Sequence, residues 1–233
     1  MDQLLDVKQA DVTGDGIADS VYLYGRKPDP SSPFAEQITL VIQNGRTLQR
    51  TTVPLKNNAG YNARLFLGDF TKVSTPDILV SIDTGGSGGY GIFYLYSYQH
   101  HMLYEVLNSD SYNQLFTFLV YYQDYYKVSV QSPQLNVQFI IDISTKGYGY
   151  LLQYYDPNGK LKQAAQGEVL AIGGLFPIAT GDKAGGYDLL AIQRIIGTTN
   201  ADTLGYVENL LTWDGKQLVS SRISVAIEGT NLV

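Results

Sequence analysis

The chain has 233 residues, no cysteine, and 16 basic against 22 acidic side chains, a formal charge of -6. This length can bury a core without covalent staples. The missing cysteines exclude disulfides, thiolate metal sites and a cysteine nucleophile, and the acidic balance argues against nucleic-acid binding and electrostatic membrane binding.

Charged residues make up 16%, against about 25% in ordinary soluble domains. Nineteen tyrosines and 24 glycines take their place, a composition of strands and turns. No stretch reaches the about 20 apolar residues of a membrane helix, so no membrane insertion is expected. Met1–Asp6 carries no basic or apolar export region, so no signal peptide is visible and the location stays open.

In chain order, the first unit reads as strands at 3–10, 19–25, 37–43 and 47–54. Between its first two strands lies Asp11-Val12-Thr13-Gly14-Asp15-Gly16-Ile17-Ala18-Asp19. Side-chain oxygens stand at loop positions 1, 3, 5 and 9 (Asp11, Thr13, Asp15, Asp19), and the Ile17 carbonyl falls at position 7. Gly16 permits the sharp turn. This is the ligand cadence of a calcium loop. It is not an EF-hand, because Tyr22 stands where the bidentate glutamate belongs and apolar strands flank the loop. Asn44-Gly45 reads as the hairpin turn after the third strand.

The second unit reads as strands at 63–70, 77–83, 90–98 and 102–107, its last turn formed by His100-His101. Residues 110–122 fit no strand of the repeat and suggest an extra strand or a short helix. The third unit reads as 126–131, 136–143, 148–155 and 160–166, turning at Asn158-Gly159. The fourth reads as 170–180, 187–194, 205–213 and 216–227, turning at Asp214-Gly215. Turn centres at 45, 100, 159 and 215 lie 55, 59 and 56 residues apart. Asp19, Asp77 and Asp188 each open an apolar strand in phase with that spacing. A four-stranded unit of this length repeating along the chain is the signature of a β-propeller. We therefore expect an all-β chain with 1–233 as a single domain. The expected blades are about four, at approximately 3–54, 63–107, 126–166 and 170–227. Five blades or a duplicated β-sandwich are the alternatives.

Residues 11–19 followed by Val21-Tyr22-Leu23 resemble the FG-GAP (VCBS) repeat of integrin-α-like propellers. Gly68-Asp69-Phe70 through Asp77-Ile78-Leu79-Val80 looks like a second copy. The resemblance implies a structural calcium in the first loop, and a bacterial secreted or cell-surface protein. Thr13 departs from the family, which usually has an acidic residue or asparagine there. The other copies are eroded. Asp69, Thr71 and Asp77 keep positions 1, 3 and 9 of the second, but Val73 replaces the central aspartate and Lys72 puts a cation beside the loop. The fourth keeps Thr180, Asp182 and Asp188, with Ala184 and Gly186 between them. The third has Ser132 to Leu135 and no acidic ligand.

Other chemistry is sparse. His100 and His101 are adjacent, so on a strand they would face opposite sides and not chelate one ion. Gly85 to Gly91 lacks the lysine and helix of a phosphate cradle and reads as a flexible connection. Tyr121, Tyr122, Tyr125 and Tyr126, and Tyr148, Tyr150, Tyr154 and Tyr155, read as packing between blades or as an exposed binding patch. The expected function is a calcium-stabilised binding or scaffold module for a protein or glycan partner, with no catalytic residue assigned. The alternative is a hydrolase of glycans or phosphoesters using Asp83, Asp110, Asp142 or the histidines.

Overall fold

The computed structural model describes residues 2–99, 102–179 and 186–229. The chain is all-β, and the described residues form fifteen strands in two antiparallel sheets and two short helices. The first sheet contains β1 (Gln3–Ala10), β2 (Asp19–Arg26), β3 (Phe34–Gln43), β4 (Arg50–Pro54), β5 (Gly60–Gly68), β6 (Asp77–Asp83), β7 (Gly91–Gln99) and β8 (Met102–Asn108), in the order β1-β2-β3-β5-β6-β7-β8 with β4 beside β3. After α1 (Ser109–Leu115), the second sheet contains β9 (Leu119–Gln123), β10 (Lys127–Ser132), β11 (Val137–Asp142), β12 (Gln166–Ala179), β13 (Tyr187–Ile196), β14 (Thr203–Trp213) and β15 (Leu218–Ala226). Its order is β11-β10-β9-β12-β13-β14-β15, and α2 (Tyr148–Tyr154) lies between β11 and β12.

Antiparallel meanders recur along the chain: β1 to β4, β5 to β8, β9 to β11, and β12 to β15. Within each sheet the two meanders are stitched by two residue pairs. Phe34 and Ala35 of β3 pair with Tyr61 and Gly60, and Gln166 and Gly167 of β12 pair with Tyr121 and Val120. The first sheet also curls, and the Asp6 carboxylate of β1 accepts the Leu65 N–H of β5 at 2.8 Å.

Three apolar cores follow from strand alternation. Val21, Leu23, Ile38 and Leu40 of the first meander pack on Ile78, Val80, Ile82, Tyr94 and Tyr96 of the second. The opposite face of the second, with Leu79, Phe93 and Leu95, packs on Leu175, Leu189 and Leu211 of the fourth. Val120, Val128, Val130 and Ile141 of the third pack on Ile195, Leu204 and Val207 of the fourth. β6 is therefore covered on both faces, as its unbroken apolar run requires.

Some local expectations are corrected. Residues 148–155 and 160–166 are not strands. The first forms α2, and of the hairpin expected there only the Tyr155–Leu161 bridge remains. The helix wins because coiling sends Tyr150, Leu151 and Tyr154 into the core together, leaving Leu152 exposed. The third unit thus has three strands rather than four. Residues 110–122 supply most of α1 and β9, both a helix and a strand. The Asn44-Gly45 turn is a six-residue connection. Its glycine is needed for close approach, since a Cβ there would lie within 3.0 Å of the Ala18 carbonyl. His100 and His101 lie outside the described residues, although Gln99 and Met102 on either side pair with each other.

Candidate functional site

The first two aspartate loops are the same object at the level of hydrogen bonds. In residues 11–19, Asp11 accepts the N–H groups of Asp15 (3.0 Å) and Gly16 (2.7 Å), while Asp19 accepts that of Thr13 (2.9 Å). In residues 69–77, Asp69 accepts those of Val73 (3.0 Å) and Ser74 (2.9 Å), and Asp77 accepts that of Thr71 (2.7 Å). Positions 5, 6 and 3 donate in both. Position 2 is an apolar plug in both, Val12 and Phe70, each fully buried. The strand registers also match, Ala10 facing Asp19 and Gly68 facing Asp77. Carboxylates at positions 1 and 9 therefore hold the loop's shape, whereas position 5 can be Asp15 or Val73.

Asp15 is what distinguishes the first loop. Its Oδ2 and the Thr13 hydroxyl both accept from the Asn44 amide, at 3.0 and 3.1 Å. Arg46 donates to the Asp15 carbonyl at 2.6 Å and brings its Nε within 3.6 Å of the carboxylate. The Asn44 hydrogen bond, more than the Arg46 charge, holds the Asp15 carboxyl below the usual range. The residue types fit calcium: three carboxylates, a hydroxyl and a main-chain carbonyl. Asn44 and Arg46 are internal competitors for Thr13 and Asp15. Among the described residues, no three His, Asp or Glu side chains cluster as a metal site.

The second and fourth loops meet. Asp69 bridges Gly186, and the Tyr187 N–H donates to the Asp69 carbonyl at 2.9 Å. Lys72 donates to the Tyr187 carbonyl at 2.7 Å and pairs with the buried Asp188 at 3.1 Å. Lys72 thus serves the neighbouring loop's aspartate rather than its own. Thr180, Asp182 and Ala184 lie outside the described residues; Ser132 ends β10, and Pro133 to Asn136 form the tight turn into β11.

The carboxylates of the hydrolytic alternative do not converge, and each has its own cation. Asp83 pairs with Arg64 (3.0 Å), Asp110 with Lys56 (2.7 Å) and Asp142 with Lys127. The two tyrosine clusters do converge. Tyr122 of β9 stacks on Tyr154 of α2 at 4.8 Å between ring centres, and its hydroxyl meets that of Tyr150 at 2.8 Å. Tyr150 donates to Asp202 at 2.6 Å, and Lys146 reaches the other Asp202 oxygen at 3.3 Å. Burial, helped by the Asp202 carboxylate, pushes the Tyr150 hydroxyl far above its usual range, so it stays a neutral donor. The tyrosine runs were visible in the sequence, but their partners Asp202 and Lys146 gave no local signal. Lys146 borders a cavity of about 550 Å³ lined also by Asp142, Ser144 and Thr203. Tyr148 and Tyr125 stay exposed nearby in the chain, at 76% and 58%.

The profile of the YybI C-terminal domain family matches residues 116–226, which begin at the end of α1 and run through the second sheet. Over 224 residues the chain is 44% identical to "Uncharacterized protein YybI" of Bacillus subtilis (strain 168), covering 96% of this chain and 85% of that protein. No solved structure matches.

Proposed function

This chain belongs to the YybI family, and we propose that it is a non-catalytic binding or scaffold module whose first aspartate loop takes a structural calcium. What supports binding over hydrolysis is the separation of Asp83, Asp110 and Asp142, each neutralised by its own lysine or arginine. General acid–base work needs two such groups at one reacting bond, with displaced pKa values. The exposed rings of Tyr148 on α2 and of Tyr125 beside Lys160 support a protein or glycan partner, since such rings offer large contact area at low entropic cost. The recurring meanders support arrangement as propeller blades, and the family resemblance supports a secreted or cell-surface location.

Calcium would be held by Asp11, Thr13, Asp15, Asp19 and the Ile17 carbonyl, with the Asn44 amide displaced. The ion would supply charge neutralisation between β1 and β2. The second loop suggests the discriminating variant. Because Val73 occupies position 5 there without loss of the fold, Asp15→Val should fold in the presence of chelator. Wild-type protein should gain about 2.7 kcal/mol at a hundredfold excess of calcium over Kd, read by calorimetric melting, and Asp15→Val should gain nothing. Equal melting of the wild type in calcium and chelator would sink the calcium assignment. Turnover in a panel of glycans and phosphoesters, abolished by an Asp→Asn change at 83, 110 or 142, would sink the binding assignment.

A further inference from the structure

A second concave site lies where the glycine-rich loop of the first sheet meets β12. It is a groove of about 300 Å³ with Gly88, Gly89, Gly173 and Gly174 as its floor and Phe176, Ile192, Arg194 and Tyr206 around it. Gly173 is required by contact, since a Cβ there would come within 3.0 Å of the Gly89 carbonyl, and Gly89 by its left-handed backbone at φ 68°. The loop read from sequence as a flexible connection is thus pinned: Ser87 accepts from Arg194 at 3.3 Å and from Asn200 at 3.4 Å.

The polar equipment of this groove is unbalanced. The Arg194 guanidinium donates to the Asn200 carbonyl (3.0 Å), the Asn200 side-chain oxygen (2.5 Å), the Thr203 hydroxyl (3.2 Å) and the Ser87 carbonyl. Every acceptor is neutral, and none of the ion pairs among the described residues includes Arg194. On the same sheet Glu208 sits opposite Ile192 and accepts from Ser224, and Glu168 sits opposite Ile196; neither pairs with Arg194. Arg194 is thereby fixed in place with its charge uncompensated. Beside it on β14, Tyr206 faces the same groove. Phe176 is 47% exposed, an open aromatic wall above a backbone floor.

We infer that this groove binds a small ring bearing a carboxylate. The ring lies on the glycine floor against Phe176 and Ile192, and the carboxylate meets Arg194 and the Tyr206 hydroxyl. A volume of about 300 Å³ is at the lower end for ligand sites, enough for one ring rather than a chain. A charge-assisted contact supplies the selectivity, because the acid answers a cation already paid for in the fold. Aromatic acids and acidic sugars share this chemistry.

The test is an amide-resolved NMR titration of the full chain with benzoate, with glucuronate, and with benzamide as the neutral isostere of benzoate. One of the acids at least should shift the Gly88, Gly89, Gly173 and Gly174 amides, benzamide binding about tenfold more weakly than benzoate where benzoate is the ligand. Which acid binds identifies the ring. Arg194→Gln should weaken that acid about tenfold. Because Arg194 also ties the loop, Phe176→Ala, at an exposed position, provides a second variant, expected to melt as wild type and bind more weakly. Failure of both acids to shift these amides would overturn the inference. So would equal binding of benzamide and benzoate, or unchanged binding by both variants when melting shows them folded.

Discussion

Positions 4 and 6 of the first aspartate loop are Gly14 and Gly16, at φ 74° and 85°, whereas the second loop has Lys72 and Ser74 at 59° and 67°. Left-handed backbone costs a side-chain-bearing residue about 1–2 kcal/mol, and glycine almost nothing. Lys72 repays that strain through Tyr187 and Asp188, but Ser74 is exposed. Ser74→Gly should therefore stabilise by about 0.5–1 kcal/mol in urea titration, after the entropy glycine adds to the unfolded chain; a loss would show that the serine side chain matters to the loop. Acid behaviour is set on the same scale. Lys127, together with Ser144, lowers the Asp142 carboxyl to about 2. Its folded pKa lies below the unfolded value of about 3.9, so its stabilisation is complete above about pH 4 and is lost as pH falls through about 2. Lys127→Met should flatten that part of the stability–pH curve by lowering stability above about pH 4, by no more than about 1 kcal/mol since the pair is exposed, with little change near pH 2. Much at this scale was legible in the sequence, because loop spacing alone picks out the carboxylates at positions 1 and 9. What was not legible is the long-range partnering: Asn44 reaches Thr13 and Asp15, and Lys72 reaches Asp188, across the fold, and no local pattern records that.

Helix α2 shows where local reading fails at the scale of an element. Tyr148-Gly149-Tyr150-Leu151-Leu152-Gln153-Tyr154 is rich in strand formers, and its glycine N-cap offers no side-chain hydrogen bond. A seven-residue helix is not stable by propensity, and tertiary contacts hold it. Tyr150 and Tyr154 pack on one another at 5.2 Å and on Tyr122, and the Tyr150 hydroxyl ties the helix to Asp202 beyond β13. The strands of the first, second and fourth meanders were legible for the opposite reason: alternation and the aspartate openings coincide with how they pack. Tyr150→Phe keeps the ring and removes the donor. It should cost about 1–2 kcal/mol, the price of a short bond to a mostly buried carboxylate, in chemical denaturation. No deficit would mean that Lys146 and Tyr122 suffice for Asp202.

On the scale of the whole molecule, the question is whether the second sheet, which carries the family match at 116–226, can stand without the first. The packing argues that it cannot. Ile172, Leu175, Leu189, Ala191 and Leu211 face outward from that segment onto Phe70, Leu79, Phe93, Leu95 and Leu107 of the first sheet. Tyr112 of α1 is fully buried, with its hydroxyl against Gln193 and Asn209. Removing residues 2–115 would expose Ile172, Leu175, Leu189 and Leu211, each losing about 1.5–3 kcal/mol of burial, and would take the Tyr112 hydroxyl from Gln193 and Asn209. The loss is comparable with the about 5–15 kcal/mol by which whole domains are stable. The fragment 116–226 should therefore bind a hydrophobic dye and lack a cooperative melt, while the full chain should unfold in one transition with equal calorimetric and van't Hoff enthalpies. Two resolved transitions in the full chain, or a sharp melt from the fragment, would mean that the shared core between β6, β7 and β12 to β14 is an interface between two independent domains.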